Sequence, residues 1–385
     1  MRVFITAGEA SGDKLGVALM RGLRQLVPDV QFRGIGGPLM EDEGLDSLFP
    51  MDEISVMGVT EILKEYRHLK ARIRETADAV IAEKPDVLIT IDLPEFSLRV
   101  NRLVKAVSDV RVVHYVAPTV WAWRPGRAQK MAAHVDQVLA LLPFEPPYMR
   151  EVGMECDFVG HPVVTDPQAN AEEAQAFRDK YGIEGELALV LPGSRRSEIG
   201  RLLPVFAKVA TLLHEKRPAL KLVIPAAGNV VEAVQQAVRD WPGAPLVLDP
   251  RGDDVAEKRA AFRAADVALA ASGTVSLELA AAGTPMVIAY DMSWLSRQII
   301  GRMLLVDTVT LVNLVSETRA VPEFIGKDCL PDPIAAEVLN VLDAPDAQNA
   351  AMGLTMERLG LGGEHPGLRA AKAVLNGLKS GITIN

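Results

Sequence analysis

Short apolar runs alternate with helical periods along most of the chain. The runs at 2–7, 30–35, 86–92, 110–116, 136–141 and 156–159 predict strands, with helices between them at 12–26, 61–83, 95–107, 125–134 and 144–152. The pattern restarts at Leu187-Ala188-Leu189-Val190-Leu191, with further strands near 220–224, 245–248, 266–270 and 285–290. Helices at 198–216, 230–240, 254–264, 273–282 and 293–304 separate this second set. Such alternation of buried strands and helices marks parallel sheets covered on both faces. The fold class is therefore α/β, with two Rossmann-like doubly wound domains. Two such domains of similar size predict a central cleft, and ligands in these folds sit at the carboxyl ends of strands.

His161-Pro162 and the polar segment Asp166-Pro167-Gln168-Ala169-Asn170 lie between the two series, which places a hinge at 161–170. The expected division is 1–165, 166–345 and a helical tail at 346–385. Gly360, Gly362, Gly363 and Pro366 break that tail into one or two helices that can lie across either domain. A length of 385 residues agrees with two to three domains. Apolar residues at 49% and charged residues at 24% exclude a disordered or fibrous chain.

A formal net charge of −9, with neither half basic, disfavours a nucleic-acid-coating protein. Cys156 and Cys329 form no disulfide framework and no CxxC, which fits a reducing compartment. The N-terminal apolar run turns at Gly8 and reads as a strand, not a signal peptide. No uninterrupted apolar run approaches the roughly 20 residues that span a bilayer. The expectation is a soluble chain, or one attached to a membrane surface.

The residues after each strand carry the candidate chemistry. Gly8-Glu9-Ala10-Ser11-Gly12-Asp13 permits a tight turn into a helix N-terminus, where anions bind; it equally fits a plain turn with Ser11 or Asp13 as a helix cap. It is not GxGxxG, and no acid ends the second strand, so a nicotinamide dehydrogenase is disfavoured. Asp92 ends a buried strand before Pro94, where partial burial would raise its pKa and suit it to general-base work; the alternative is a helix cap. Glu95 reads as a first-turn dipole partner. His114-Tyr115-Val116-Ala117-Pro118-Thr119-Val120-Trp121-Ala122-Trp123-Arg124 holds two of the chain's four tryptophans, which suits stacking on a sugar or filling a core.

Pro192-Gly193-Ser194-Arg195-Arg196-Ser197-Glu198 combines a glycine turn, a helix start and two arginines, a diphosphate cradle without the Gly-Lys-Ser/Thr of a P-loop. Ser272-Gly273-Thr274 makes a second such turn. Glu278, one helical turn on, either bridges ribose hydroxyls or pairs with a neighbouring base. No Asp-x-Asp and no histidine pair at ligand spacing occur, so no metal site and no cofactor are expected. Leaving diphosphate would then be stabilised by arginine, hydroxyls and helix dipole. Ile62, Tyr66, Leu69 and Ile73 form an apolar stripe flanked by Lys64, Arg67, Lys70, Arg72 and Arg74. A basic amphipathic helix at 61–74 suits an anionic membrane surface or its own core, and 294–304 is a second such segment.

Taken together, Gly8–Asp13, Val56-Met57-Gly58, Ile91-Asp92-Leu93-Pro94, His114–Arg124, Leu141-Leu142-Pro143-Phe144-Glu145, Gly160-His161-Pro162, Leu191–Arg195 and Ala271–Thr274 resemble the lipid-A-disaccharide synthase family, in order, from residue 8 to about 315. The resemblance implies a GT-B glycosyltransferase that is inverting and metal-independent. Its donor would be UDP-2,3-diacylglucosamine and its acceptor 2,3-diacylglucosamine 1-phosphate, giving a β-1,6 disaccharide and UDP. It further implies a cytoplasmic protein, peripheral on the inner face of the inner membrane of a Gram-negative bacterium.

By position in these motifs, Asp92 is the implied base and Arg195 the group that neutralises the departing diphosphate. Gly193, Ser194, Ser272, Gly273, Thr274 and Glu278 fit the UDP side. Glu9 and Ser11 lie on the acceptor domain, and Trp123 and Arg124 complete the substrate-binding set. Asn313 falls where the family carries Pro-Asn-Leu, with Val312 here in place of the proline. A homodimer stays open. The alternatives are another UDP-sugar enzyme of this fold, such as a UDP-GlcNAc 2-epimerase-like protein, or a non-enzymatic nucleotide-sugar binding protein.

Overall fold

Five-residue runs in which every position is buried, Val87–Ile91 and Leu187–Leu191, lie inside two all-parallel sheets, one in each half of the chain. The computed structural model describes residues 1–55, 59–124, 126–251, 255–292 and 304–380. It divides into a first unit, Met1–Thr165 with the chain from Gly362 onward, and a second unit, Asp166–Leu361.

In the first unit the elements run β1 Arg2–Thr6, α1 Ala10–Leu26, β2 Gln31–Ile35, α2 Pro38–Asp42, β3 Asp46–Ser47, α3 Val59–Glu83, β4 Val87–Ile91, α4 Pro94–Lys105, β5 Arg111–Tyr115, α5 Gly126–Ala132, β6 Gln137–Ala140, α6 Pro146–Arg150 and β7 Glu155–Phe158. The sheet order is β3-β2-β1-β4-β5-β6-β7. Alternate strand residues feed two cores. Phe4, Leu88, Val112 and Val138 meet α3 and α4 on one face. Val3, Ile89, Val113 and Leu139 meet α1 and the C-terminal helix Pro366–Ser380 on the other, through Ala370, Ala371 and Val374. Gln137 Nε2 donates to the Ala373 carbonyl at 3.0 Å, and Arg369 Nη2 donates to the Phe158 carbonyl at 2.7 Å, which tie that helix to the sheet.

The second unit begins with α7 Ala171–Lys180, then β8 Leu187–Leu191, α8 Arg196–Lys216, β9 Lys221–Pro225, α9 Val231–Ala237, β10 Leu246–Leu248, α10 Val255–Ala264, β11 Val267–Ala270, α11 Val275–Ala282 and β12 Met286–Tyr290. Helix Leu311–Ser316, β13 Glu323–Ile325 and helices Pro331–Asp343 and Asp346–Leu359 complete it. The sheet order is β10-β9-β8-β11-β12-β13. The two C-terminal helices thus belong to different units, the break between them falling at the glycines.

Helix α3 corrects one expectation. Leu69 and Ile73 of the apolar stripe are buried in the first unit's core, where they pack under the sheet and are not presented to a membrane. Arg72 is engaged as well, stacked 4.4 Å from the Phe49 ring and paired with Glu53 and Glu75. The exposed basic side chains on the described part of this helix are Arg67, Lys70 and Arg74. Val56, Met57 and Gly58, the side chains of Ile62 and Tyr66, and the 294–304 segment up to Met303 lie outside the described residues. No helix among the described residues is long and apolar enough to cross a membrane.

Candidate active site

Both sheets reverse their winding at one place, between β1 and β4 in the first and between β8 and β11 in the second. Chain crossovers leave in opposite directions there, so the loops after the two strands part and leave room for a ligand. Glu9, Ser11 and Asp92 follow β1 and β4, and Gly193–Arg195 and Ser272–Thr274 follow β8 and β11; Trp123 and Arg124 follow β5, and Asn313 lies beyond β12.

In the first unit, the turn after β1 packs against the turn after β4. A Cβ added to Gly8 would stand 2.6 Å from Leu93 Cδ2, so a side chain there would push the Leu93 tip off this loop. Glu9, half-buried, and Ser11, exposed, follow at the start of α1. Asp13 has a different task. Its buried carboxylate accepts the amides of Gly37 (3.0 Å), Leu39 (3.1 Å) and Met40 (3.1 Å). It caps α2, across a gap of over twenty residues, and not its own helix.

Asp92 and Leu93 are consecutive left-handed residues, with φ of 49° and 47°. The turn is pinned on both sides: the Asp92 amide donates to the Tyr115 carbonyl at 2.9 Å, and the buried Ser97 hydroxyl donates to the Asp92 carbonyl at 2.7 Å. The cap position of α4 belongs to Leu93 and has no side-chain cap, so the Asp92 carboxylate is not a helix cap. Burial pushes the Asp92 carboxyl up, opposed by the Leu93 amide and by the positive charge of Arg127. Beneath it, His114 Nδ1 and Asn101 Nδ2 both bond the Thr90 hydroxyl, at 2.9 and 3.1 Å. Burial lowers the His114 pKa to about 4, which keeps the ring neutral.

The aromatic segment divides its labour. Trp121 is buried edge-on against Phe144, with ring centroids 5.1 Å apart, and its indole N–H points at Glu145 Oε1 at 3.4 Å. Trp123 is half-exposed, donates to the Thr119 hydroxyl at 3.1 Å, and carries the exposed Arg124 guanidinium 4.4 Å over its ring. Core filling thus describes Trp121 and surface presentation describes Trp123. Glu145 is buried and accepts the Leu142 amide at 3.0 Å; desolvation raises its pKa to about 7.

In the second unit the two glycine turns differ. Gly193 has φ of +102°, and a Cβ there would meet Glu198 Oε2 at 2.6 Å. The Glu198 carboxylate accepts the Ser194 and Arg195 amides, both at 3.3 Å, and pairs with Arg195 Nη1 at 3.2 Å. The start of α8 is therefore closed by its own acid. The Arg195 side chain stays 67% exposed. Asn229, after β9, donates to the Ser194 carbonyl at 3.1 Å.

The other turn is open. A Cβ on Gly273 would meet nothing within 4 Å, and Thr274, at the cap of α11, makes no side-chain cap bond. Ser272 is half-buried and Thr274 exposed beside it. Glu278 pairs with Lys258 Nζ at 2.8 Å, as the helix-acid alternative requires. Tyr290, ending β12, is a residue the sequence reading passes over. Burial and the Glu198 charge raise its pKa, while Arg195 and Arg201 of the α8 region oppose them.

Asn313 is a correction. It is 1% exposed, and its carboxamide brackets Val321, donating to that carbonyl at 2.8 Å and accepting that amide at 2.9 Å. Its second N–H goes to the Thr308 hydroxyl at 3.2 Å. With both N–H groups engaged inside the protein, Asn313 braces the segment before β13 and does not face a ligand. Among the described residues no group of three or more His, Cys, Asp or Glu is placed to hold a metal ion.

A family model described as lipid-A-disaccharide synthetase matches residues 3–366. The chain is 63% identical to a lipid-A-disaccharide synthase of Ruegeria pomeroyi, over 98% of this chain and 96% of that one. Among solved structures, it is similar to a putative UDP-N-acetylglucosamine 2-epimerase from Listeria monocytogenes, with a TM-score of 0.64, 14% identity, and 99% and 96% of the two chains covered. Acinetobacter baumannii MurG gives a TM-score of 0.55 at 14% identity, with 98% and 99% covered. At that identity the structural likenesses show the fold alone, and the fold is GT-B.

Proposed function

Because the chain belongs to the lipid-A-disaccharide synthase family, it is a glycosyltransferase, and we propose how its own residues carry the transfer. The donor is UDP-2,3-diacylglucosamine and the acceptor 2,3-diacylglucosamine 1-phosphate. Asp92 takes the proton of the acceptor 6-hydroxyl as that oxygen bonds the donor's anomeric carbon. The bond from that carbon to the diphosphate oxygen breaks, UDP leaves, and the configuration inverts to β. A carboxyl raised by burial is a stronger base than one in water, and the pinned left-handed turn fixes its direction. This is the observation that carries the assignment.

Departing negative charge falls to the second unit. The open start of α11, with Ser272, Gly273 and Thr274, offers amides and hydroxyls to the diphosphate, and the exposed Arg195 offers its guanidinium. Glu198 must yield the Ser194 and Arg195 amides before the Gly193 turn can take part. Glu278 is assigned to the ribose hydroxyls, from which it would accept while sharing or exchanging its ion pair with Lys258. Glu9, Ser11, Trp123 and Arg124 are assigned to the acceptor.

We also assign a peripheral location at the cytoplasmic face of the inner membrane. The exposed Arg67, Lys70 and Arg74 support it by attraction to anionic headgroups, with Leu69 and Ile73 kept for the core. Binding to anionic vesicles should then fall steeply with salt, and salt-independent binding would discard this electrostatic contact. The decisive assay for the reaction incubates the purified protein with donor and acceptor in the presence of EDTA and follows the disaccharide 1-phosphate by mass spectrometry. Absence of that product, or release of UDP with free sugar alone, would overturn the reading.

A further inference from the structure

An arginine outside the family motifs described above faces the first turn of α4, the helix that follows the base. Arg127 opens α5, just after the Trp123–Arg124 loop, and its guanidinium stands 3.6 Å from Glu95 Oε1. Glu95 sits three residues beyond Asp92, in the first turn of α4. Its other oxygen takes Arg99 Nη2 at 3.1 Å. Arg99 and Arg127 therefore share Glu95, Arg124 lies three residues before Arg127, and the three are not equivalent. Arg124 is stacked on Trp123. Arg99 is hydrogen-bonded to Glu95 on the outer side of α4. The Arg127 side chain makes no hydrogen bond among the described residues, and at 29% exposure it is partly withdrawn from water.

The charge of Arg127 is felt by both the Asp92 carboxyl and the His114 ring. All three groups thus occupy one electrostatic field. Glu95, 67% exposed, is an ion-pair partner that water readily replaces. A planar guanidinium in a partly desolvated place, with a weak partner, is suited to take two phosphate oxygens at once.

We propose that Arg127 binds the 1-phosphate of the acceptor and so selects the phosphorylated sugar for extension. The inference rests on the reading that Asp92 deprotonates that sugar. The 1-phosphate and the 6-hydroxyl lie at opposite sides of one sugar ring, and Arg127 reaches the first turn of the helix that follows Asp92. Orientation follows too: two fixed points, carboxylate and guanidinium, define which hydroxyl is presented.

The test compares two acceptors, 2,3-diacylglucosamine 1-phosphate and the same sugar without its phosphate, at saturating donor. Wild-type protein should prefer the phosphorylated acceptor. Arg127→Met and Arg127→Gln should lower kcat/KM for it by about 10- to 100-fold, the worth of a hydrogen-bonded charge, mainly through KM. Compared at a pH above the acid limb, where loss of the Arg127 charge no longer alters Asp92 ionisation, rates with the dephosphorylated acceptor and the affinity for UDP should be unchanged, and thermal melts confirm that both variants fold. Equal losses on both acceptors, with the acid limb of the pH–rate profile moved upward, would mean that Arg127 only tunes Asp92 and would overturn the proposal. So would a wild-type protein indifferent to the phosphate. Failure of the Asp92 reading is separate: it would appear as full turnover in Asp92→Asn, whatever the acceptor ratio.

Discussion

Replacing Asp92 with Asn should make the protein more stable and nearly inactive, and the two effects should part with pH. Asp and Asn both tolerate the left-handed region, where L-residues otherwise cost roughly 1–2 kcal/mol each. The substitution therefore leaves the strain of φ 49° and 47° at 92 and 93 unchanged. The Ser97 hydroxyl and Tyr115 carbonyl bonds are to the Asp92 backbone and also survive. What changes is charge. Burial disfavours the ionised carboxylate, so the folded pKa lies above the unfolded one. Below the unfolded value both states are protonated and the residue contributes no difference. As pH rises through the folded value, the wild type loses about 1.4 kcal/mol for each unit of elevation. Asn carries no such penalty. Its melting temperature should exceed the wild type's at pH 8, by about 2–4 °C per kcal/mol for a unit of this size. The two should converge near pH 4. Turnover should drop by about 10²- to 10⁴-fold, the usual contribution of a general base. Scanning calorimetry from pH 4 to 8, with disaccharide formation measured at each pH, gives both readouts. Wild-type turnover in the variant removes Asp92 from the mechanism; a lower melting temperature at every pH means the carboxylate holds structure.

Glu145→Gln tests the second raised acid. With a pKa near 7 in the fold against 4.5 in the open chain, the wild type should lose up to about 3 kcal/mol as pH rises through that window, and Gln should cancel the loss at pH 8 and change little at pH 4.5; parallel melting curves would discard this. Glu198→Gln removes the carboxylate that occupies the Gly193 turn, and UDP should bind about fivefold tighter by calorimetry, equivalent to ~1 kcal/mol; weaker binding would show that the acid arranges the turn for its ligand. Asn313→Ala leaves the Val321 amide and carbonyl without their buried partner, so stability should fall by about 1–3 kcal/mol with UDP affinity unchanged, and a selective loss of UDP binding would return Asn313 to the site.

The strands of both sheets were legible because parallel strands buried on two faces are apolar at nearly every position, as in Leu187–Leu191 and, Thr90 apart, Val87–Ile91. The exceptions are explained by the same rule. Asp46–Ser47 and Glu323–Ile325 are edge strands of two and three residues, half-buried or exposed, and give no apolar run. Helix α7 carries a legible start, since Asn170 and Glu173 cap each other reciprocally; the hinge reading at 161–170 passes over it. Side-chain tasks set by distant partners are where sequence stops. Asp13 serves amides of residues 37–40, Glu278 meets Lys258, and Asn313 clasps Val321. Each looks like a site residue in its own motif, and only the folded neighbourhood says which partner it has. Trp121 and Trp123, two residues apart, separate into core and surface for the same reason.

The two units use one topological device for opposite electrostatic ends. At the β1–β4 reversal, the helix after the acid offers little: α4 opens with Pro94, which has no N–H, while α1 starts without a side-chain cap and the nearby α2 start, after β2, is closed by Asp13. What projects there is an acid, held in a strained turn and kept from full solvation. At the β8–β11 reversal the strand-end turns carry arginine, hydroxyls and an open helix start, all suited to negative charge. A base needs an environment that disfavours its own ionisation, whereas a leaving diphosphate needs one that favours charge. Putting both demands on one sheet end would set the raised carboxyl against the cations and pull its pKa back down. The Arg127 charge already does this to a degree at Asp92, a cost to the base that recognition of a phosphate would offset.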